Sequence, residues 1–576
     1  MLRSLTLCLS LAFASLPPAA AADDDPGAFR VEAVQPADRQ TDVEVGASFN
    51  LRFSQPVAVD SLDRLTLHRL GPVGAKGWEA DGPAAEVPVA RSTDLTNASI
   101  TVAPTAFLLP NSLYELRATA ELKSRDGAAL RPFRARFRTE PQHKSFEGGL
   151  NFELERFETA RSFTTILFGP DRRLYAADAF GTLLRWDLDE DGRPINKTTL
   201  RTDPRRSRQY IDLEWDPAAT ADSLILWASY GERLEPKGDR HYFTGTIARL
   251  DLGDGSMPNS IQERIIVAGL PHGREKQGGF ETLPHQPNGL VFQEGRLYQS
   301  VGSTSSSGGP ANWGIAEQPL SAGILEIDYQ ALLDADGPLD VRPSAGYDPD
   351  AADAPVRVFA TGVRNALELV AHSNGRLYTA VNLNDRRGRG DGVPDDPDLP
   401  GDQNALVTQT TPEQESLLLI ERGRYYGHPN PSRGQYILAG GNPTADEDPF
   451  EIPDYPVGTA PENGYAPELM YPIWRYGGTS PDGMIEYLPE GDHPLKGALL
   501  CCFYSAGDIA VMPLGAEGLP TGVKKLRRPE GKLRLTGPLD LTQDPATGVL
   551  YVAAFGTQNR FGEDGTLVLL RPRPER

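Results

Sequence analysis

Between Phe29 and Thr139 apolar and polar residues alternate in short runs, FRVEAV, ASFNLRFSQPV, RLTLHRL, ASITVAP, SLYELRATA and PFRARFRT, separated by turn residues. In the last run Phe133, Ala135 and Phe137 fall on one side and Arg134, Arg136 and Arg138 on the other, the two-residue period of a half-buried strand. Six or seven such runs in about 110 residues predict a β-sandwich. Beyond residue 150 the pattern becomes a repeat. A turn with Gly or Asp, an LYxA-like run, a Gly and a second β run recur six times: DRRLYAADAFGTLLRWDLD near 174, DSLILWASYG with TGTIARLDLGD near 225, EGRLYQSVGS with SAGILEIDY near 297, NGRLYTAVNL with ESLLLIERGRYYG near 377, KGALLCCFYSAGDIAVMPL near 499 and TGVLYVAAFG with DGTLVLLRP near 550. A strand pair cannot bury both faces alone, whereas a closed ring of them can, so six copies predict a six-bladed β-propeller. The uneven spacing puts the longest loops between the fourth and fifth copies.

Composition narrows the class. A chain of 576 residues exceeds one hydrophobic core, and 58 Gly with 50 Pro favour turns over long helices. The first residues, MLRSLTLCLSLAFASLPPAAAADDD, set Arg3 before an apolar run and small residues at Ala20 to Ala22, the pattern of a cleaved export signal over 1–22. No stretch is long and apolar enough to span a bilayer, so the expected product is exported, periplasmic or extracellular, with no membrane span. A formal net charge of −22 argues against nucleic-acid binding, because phosphates would be repelled. Cys8 falls within the signal, which leaves the adjacent Cys501 and Cys502 and excludes a long-range disulfide framework. Successive strand residues point to opposite faces, so two unlinked thiols are expected.

Two resemblances follow from quoted stretches. VQPADRQTDVEVGASFNLRFSQPV, with FLLPNSLYELRATAELKSRDGAAL, resembles bacterial Ig-like modules found ahead of exported enzymes and surface proteins. The expected organisation is a signal peptide over 1–22, an Ig-like β-sandwich over 26–140, a linker over 141–150 and the propeller over 151–576, an all-β chain. His285, one of 8 histidines, stands in PHQPNGLVF between Pro284 and Pro287, which restrict the backbone on both sides as a positioned base requires. The six repeats, HQPNGLVFQEGRLYQSVG and FATGVRNALELVAHSNGRLYTAV together resemble the soluble glucose/sorbosone dehydrogenases, six-bladed propellers that use pyrroloquinoline quinone and calcium. The resemblance implies that His285 takes the proton of a sugar or polyol hydroxyl while hydride passes to the quinone. It also implies that Arg364 and Asn365, of the GVRN loop, lie against the cofactor.

Calcium would act as a Lewis acid on the quinone and would need hard oxygen ligands. The resemblance draws them from the loop after the fourth copy, NLNDRRGRGDGVPDDPDLPGDQN, where Asn384 and Asp385 fit best. Asp391, Asp395, Asp396 and Asp398 could bind a structural calcium, or the insertion is simply a solvated acidic loop. DLDEDG, 187–192, opens like a calcium loop but carries Thr198 at the twelfth position, so a hairpin turn is expected. Two departures from the family stand out. Ser303 occupies the place of an aspartate that orients the histidine, and TGPLDL replaces basic residues of the last blade, with Arg475 as a possible substitute clamp.

Two functions therefore compete. One is an exported quinoprotein dehydrogenase, a small-molecule enzyme. The other is a non-catalytic Ig-like and propeller protein that recognises a glycan or a protein, which Ser303 and TGPLDL favour. No GxSxG or HExxH motif supports a hydrolase.

Overall fold

The computed structural model describes residues 27–573 except 44–48, 73–77, 79–83, 94–96, 105–107, 109–111, 140–150, 160, 204–207, 234–242, 256–260, 273–274, 278–279, 283–284, 306–307, 309–315, 383–414, 445–451, 453–454, 475–478, 529–530 and 557–564. The chain divides into two compact units, Met1–Gly149 and Leu150–Arg576.

In the first unit, alternation builds two sheets. One orders Val31–Gln35, Phe49–Phe53, Ser99–Pro104 and Val89–Thr93; the other orders Gln40–Val43, Phe133–Thr139, Ser112–Ala118, Leu65–Pro72 and Ala85–Val87. Ala135 and Phe137 are buried while Arg134 and Arg136 are exposed, as the two-residue period requires. Phe49 of the first sheet meets Phe137 of the second with ring centroids 4.5 Å apart, at the centre of a core that includes Leu51, Leu67, Val102 and Leu116.

The second unit is the six-bladed propeller that the repeats predict. Blade 1 runs Phe163–Phe168, Leu174–Asp178, Thr182–Leu188 and Pro194–Thr202. Blade 2 runs Arg208–Trp215, Leu224–Arg233, Phe243–Gly253 and Gln262–Leu270, widened by Leu339–Asp340. Blade 3 runs Pro287–Gln293, Arg296–Val301, Gly323–Ile327 and Val356–Thr361. Blade 4 runs Val370–Ala371, Leu377–Val381, Glu415–Ile420 and Met470–Trp474, and blade 5 Pro481–Glu486, Leu499–Phe503, Asp508–Met512 and Lys524–Lys525. Blade 6 takes Pro538–Gln543, Leu550–Ala554 and Thr566–Pro572 from the end of the chain and Phe152–Glu158 from the start of the unit, paired Phe152 with Pro572 through Glu158 with Thr566.

Each LYxA-like run is the second strand of its blade. These strands lie between neighbouring blades, so both of their faces are buried and most of them read as nearly continuous apolar runs. The innermost strands pack against one another in order and return from blade 6 to blade 1. Side chains tie the ring: the Leu290 amide donates to Asp212 Oδ2 and the Ile166 amide to Asp540 Oδ2, each at 2.7 Å.

Cys501 and Cys502 are buried, unlinked thiols on the second strand of blade 5. DLDEDG is a hairpin turn of blade 1, where Asp189 Oδ1 accepts from the amides of Asp191 and Arg193 and Gly192 adopts φ 75°. Among the described residues no helix is long and apolar enough to cross a membrane.

Candidate functional site

Successive strands of a blade run in opposite directions, so the loop entering an innermost strand and the end of the second strand lie at the same end of the ring. His285 precedes the innermost strand of blade 3, Ser303 follows its second strand, and Arg364 and Asn365 precede the innermost strand of blade 4. The main chain stitches these segments together. The His285 amide donates to the Ser303 carbonyl at 3.1 Å, the Gly302 amide to the Gln286 carbonyl at 3.0 Å, and the Ser303 amide to the Arg364 carbonyl at 2.7 Å. Gly302 is required for this approach, because a Cβ there would fall 2.3 Å from the Cβ of His285 and 3.2 Å from Oδ1 of Asn365.

His285 is half-buried, and its Nδ1 lies 2.9 Å from Ser303 Oγ. Burial first, then the positive charge of Arg364, holds its pKa well below the usual histidine value, and His428 acts in the same direction. The imidazole is therefore neutral near pH 7. Arg364 is buried at 8% exposure, and its charge reaches both His285 and His428. Asn365 Oδ1 accepts from Asn288 Nδ2 at 3.0 Å, and its carbonyl accepts from the Asn382 amide at 2.9 Å. The structure thus brings His285, Arg364 and Asn365 to one mouth. Asn384, Asp385, the aspartates from Asp391 to Asp398, and Arg475 lie outside the described residues.

Behind the mouth stands a buried pair that the sequence reading missed. Glu317 Oε1 lies 3.0 Å from His428 Nε2 and accepts from the Ser305 amide at 3.0 Å and the Ser305 hydroxyl at 2.5 Å. Its Oε2 accepts from the Thr304 amide at 3.2 Å and from the Ser321 hydroxyl. Burial alone would raise the Glu317 pKa, but the bonds from His428, Ser305 and Ser321 more than offset it, so the carboxylate stays ionised. Burial lowers the pKa of His428 despite Glu317, with Arg364 and Arg433 acting in the same direction as burial. Arg433 secures the loop by donating to the carbonyls of Pro319 and Ser321 at 3.0 and 2.5 Å. The sequence marks the pair only weakly: Glu317 is the lone acid between Glu294 and Glu326, in a run rich in Ser and Gly, and His428 sits in YYGHPNP beside a proline, as His285 does.

Comparison with known proteins gives one family assignment, for the first unit. Residues 25–139 match the bacterial Ig-like domain. No curated protein matches the sequence. Among solved structures, the chain is similar to the PQQ-bound aldose sugar dehydrogenase of Streptomyces coelicolor, at 14% identity over 73% of this chain and 98% of that one, with a TM-score of 0.41. It is also similar to the PQQ domain of pyranose dehydrogenase from Coprinopsis cinerea, at 14% identity over 73% and 97% and a TM-score of 0.47. A calcium structure of a carbohydrate-active enzyme of family AA12 from Trichoderma reesei gives 13% identity over 73% and 96%, with a TM-score of 0.48. These likenesses are distant, and a functional reading has to rest on the residues at the mouth.

Proposed function

We propose that this protein is an exported quinoprotein that oxidises a sugar or another polyol, with His285 as general base and Arg364 and Asn365 against pyrroloquinoline quinone. One observation carries the reading: the His285 imidazole and the buried Arg364 guanidinium converge at one end of the ring, where burial and that cation keep the imidazole neutral. That setting suits a flat, multiply carboxylated quinone. A carboxylate would meet Arg364, while the half-buried imidazole would receive the substrate hydroxyl. Bound there, the quinone supplies a two-electron acceptor for the hydride of a CH–OH group. The protein's own part is to take the hydroxyl proton at His285, to orient the substrate, and to place Arg364 where negative charge gathers.

Among the described residues no group of three or more His, Cys, Asp or Glu is arranged to hold a metal. Calcium enters the proposal only as the ion that the segment with Asn384 and Asp385 would bind. Export rests on the pattern of residues 1–22.

A titration of the purified full-length chain with the quinone, followed by calorimetry with and without calcium, tests the binding half. Wild-type protein should bind about one equivalent, and Arg364→Ala should weaken binding by roughly ten- to a hundredfold, the loss of a charged hydrogen bond of about 1.5–3 kcal/mol. No binding to the wild type would leave the competing reading, a recognition module.

A further inference from the structure

The hydroxyl of Ser303 has one hydrogen and two polar neighbours. Its Oγ lies 2.9 Å from the carbonyl oxygen of Ser305 and 2.9 Å from Nδ1 of His285. A carbonyl oxygen can only accept, so the hydroxyl hydrogen is directed to Ser305. Toward the imidazole Oγ then presents lone pairs, and Nδ1 must carry a hydrogen. In a neutral ring this leaves the lone pair on Nε2.

Glu317 keeps the Ser305 carbonyl in place. It accepts both the amide and the hydroxyl of Ser305 on one oxygen and the amide of Thr304 on the other, while the Gly308 amide donates to Ser305 Oγ at 2.9 Å. Ser303 and Ser305 are both fully buried, so water does not compete for these bonds. The carboxylate of Glu317 therefore shapes the turn 303–305 rather than touching the imidazole.

We propose that Ser303, aimed by the Ser305 carbonyl and held through Glu317, is a positioning residue that fixes His285 as the Nδ1–H tautomer with its lone pair on Nε2. The proposal rests on the dehydrogenase reading for its purpose, but not for its geometry. Where the resembling family uses a carboxylate, this chain uses a neutral dipole: the ring is oriented, yet its protonated form gains no counter-charge. Arg364 and His428, the charged and titratable groups acting on the ring, add none either.

Nitrogen-15 spectra of histidine-labelled full-length protein near neutral pH test it, with His285→Asn assigning the resonances. Wild type should show a protonated Nδ1 and a bare Nε2 at residue 285. Ser303→Ala should mix the tautomers, and Ser303→Thr, which keeps the hydroxyl, should restore the pattern. With quinone bound, Ser303→Ala should lower kcat roughly two- to tenfold, in step with the remaining fraction of the correct tautomer, and leave KM nearly unchanged. A protonated Nε2 in wild type, or a Ser303→Ala spectrum identical to it, overturns the proposal even in an active enzyme. The expected spectra in a protein that binds no quinone would uphold the tautomer and remove the dehydrogenase reading instead.

Discussion

Whether a histidine acts as a base depends on which nitrogen is bare and on how much the ring resists protonation. Both are set around His285 by Ser303, Arg364 and His428. His285→Ala should cut turnover by roughly 10² to 10⁴ and leave melting nearly unchanged, because a half-buried loop side chain adds little to the core. The acid limb of the kcat/KM profile should lie below the usual histidine range. Removing a neighbouring cation favours the imidazolium, so Arg364→Ala should move that limb to higher pH, and Arg364→Lys should move it less. A limb that stays put in Arg364→Ala would remove the guanidinium from the electrostatics of the base. The flanking prolines made His285 legible in the sequence. Glu317 and His428 were not, because they meet across 111 residues and only closure of blades 3 and 4 brings their loops together.

Among the elements, the second strands were the most legible, since burial on both faces makes them nearly continuous apolar runs. Short edge pieces such as Val370–Ala371 and Lys524–Lys525 carry too few residues for any period to show. The loop of His285 is pressed against the end of a second strand at Gly302, so Gly302→Ala should displace the imidazole. It should cost about 1–3 kcal/mol of stability by overpacking and lower activity more than that loss explains. Activity that merely tracks the fraction folded would deny the strand end its role in placing the base. Calcium belongs to this scale as well. If the acidic segment from Asp385 to Asp402 holds the ion, calcium at 100 times its Kd should stabilise the fold by about 2.7 kcal/mol over chelated protein, read as a higher Tm. An unchanged Tm in chelator would take calcium out of the proposal.

Across the whole propeller, closure relies on carboxylates of the innermost strands, and these titrate unusually. Burial, with repulsion from Asp540, pushes Asp212 up to about 8, and burial pushes Asp540 up to about 7. Each holds a proton in the folded chain that the unfolded chain has released above the usual carboxylate range. Stability should therefore be fullest on the acid side and fall as pH rises toward 8, and Asp540→Asn should flatten that slope. A Tm that climbs from pH 5 to 8 would contradict the assignment. The six repeats made the ring readable, but its closure by Phe152–Glu158 beside Thr566–Pro572 was not, because the joining strands lie at opposite ends of the unit and share no motif. The ring matters to function because it gathers His285 and Arg364 from separate blades to one mouth. The most direct test is to load the full-length protein with quinone and calcium, add aldoses and polyols, and follow the quinone absorbance. The account predicts reduction by at least one sugar or polyol in the wild type, slowed by roughly 10² or more in His285→Ala. Reduction at equal rates in both proteins would contradict it.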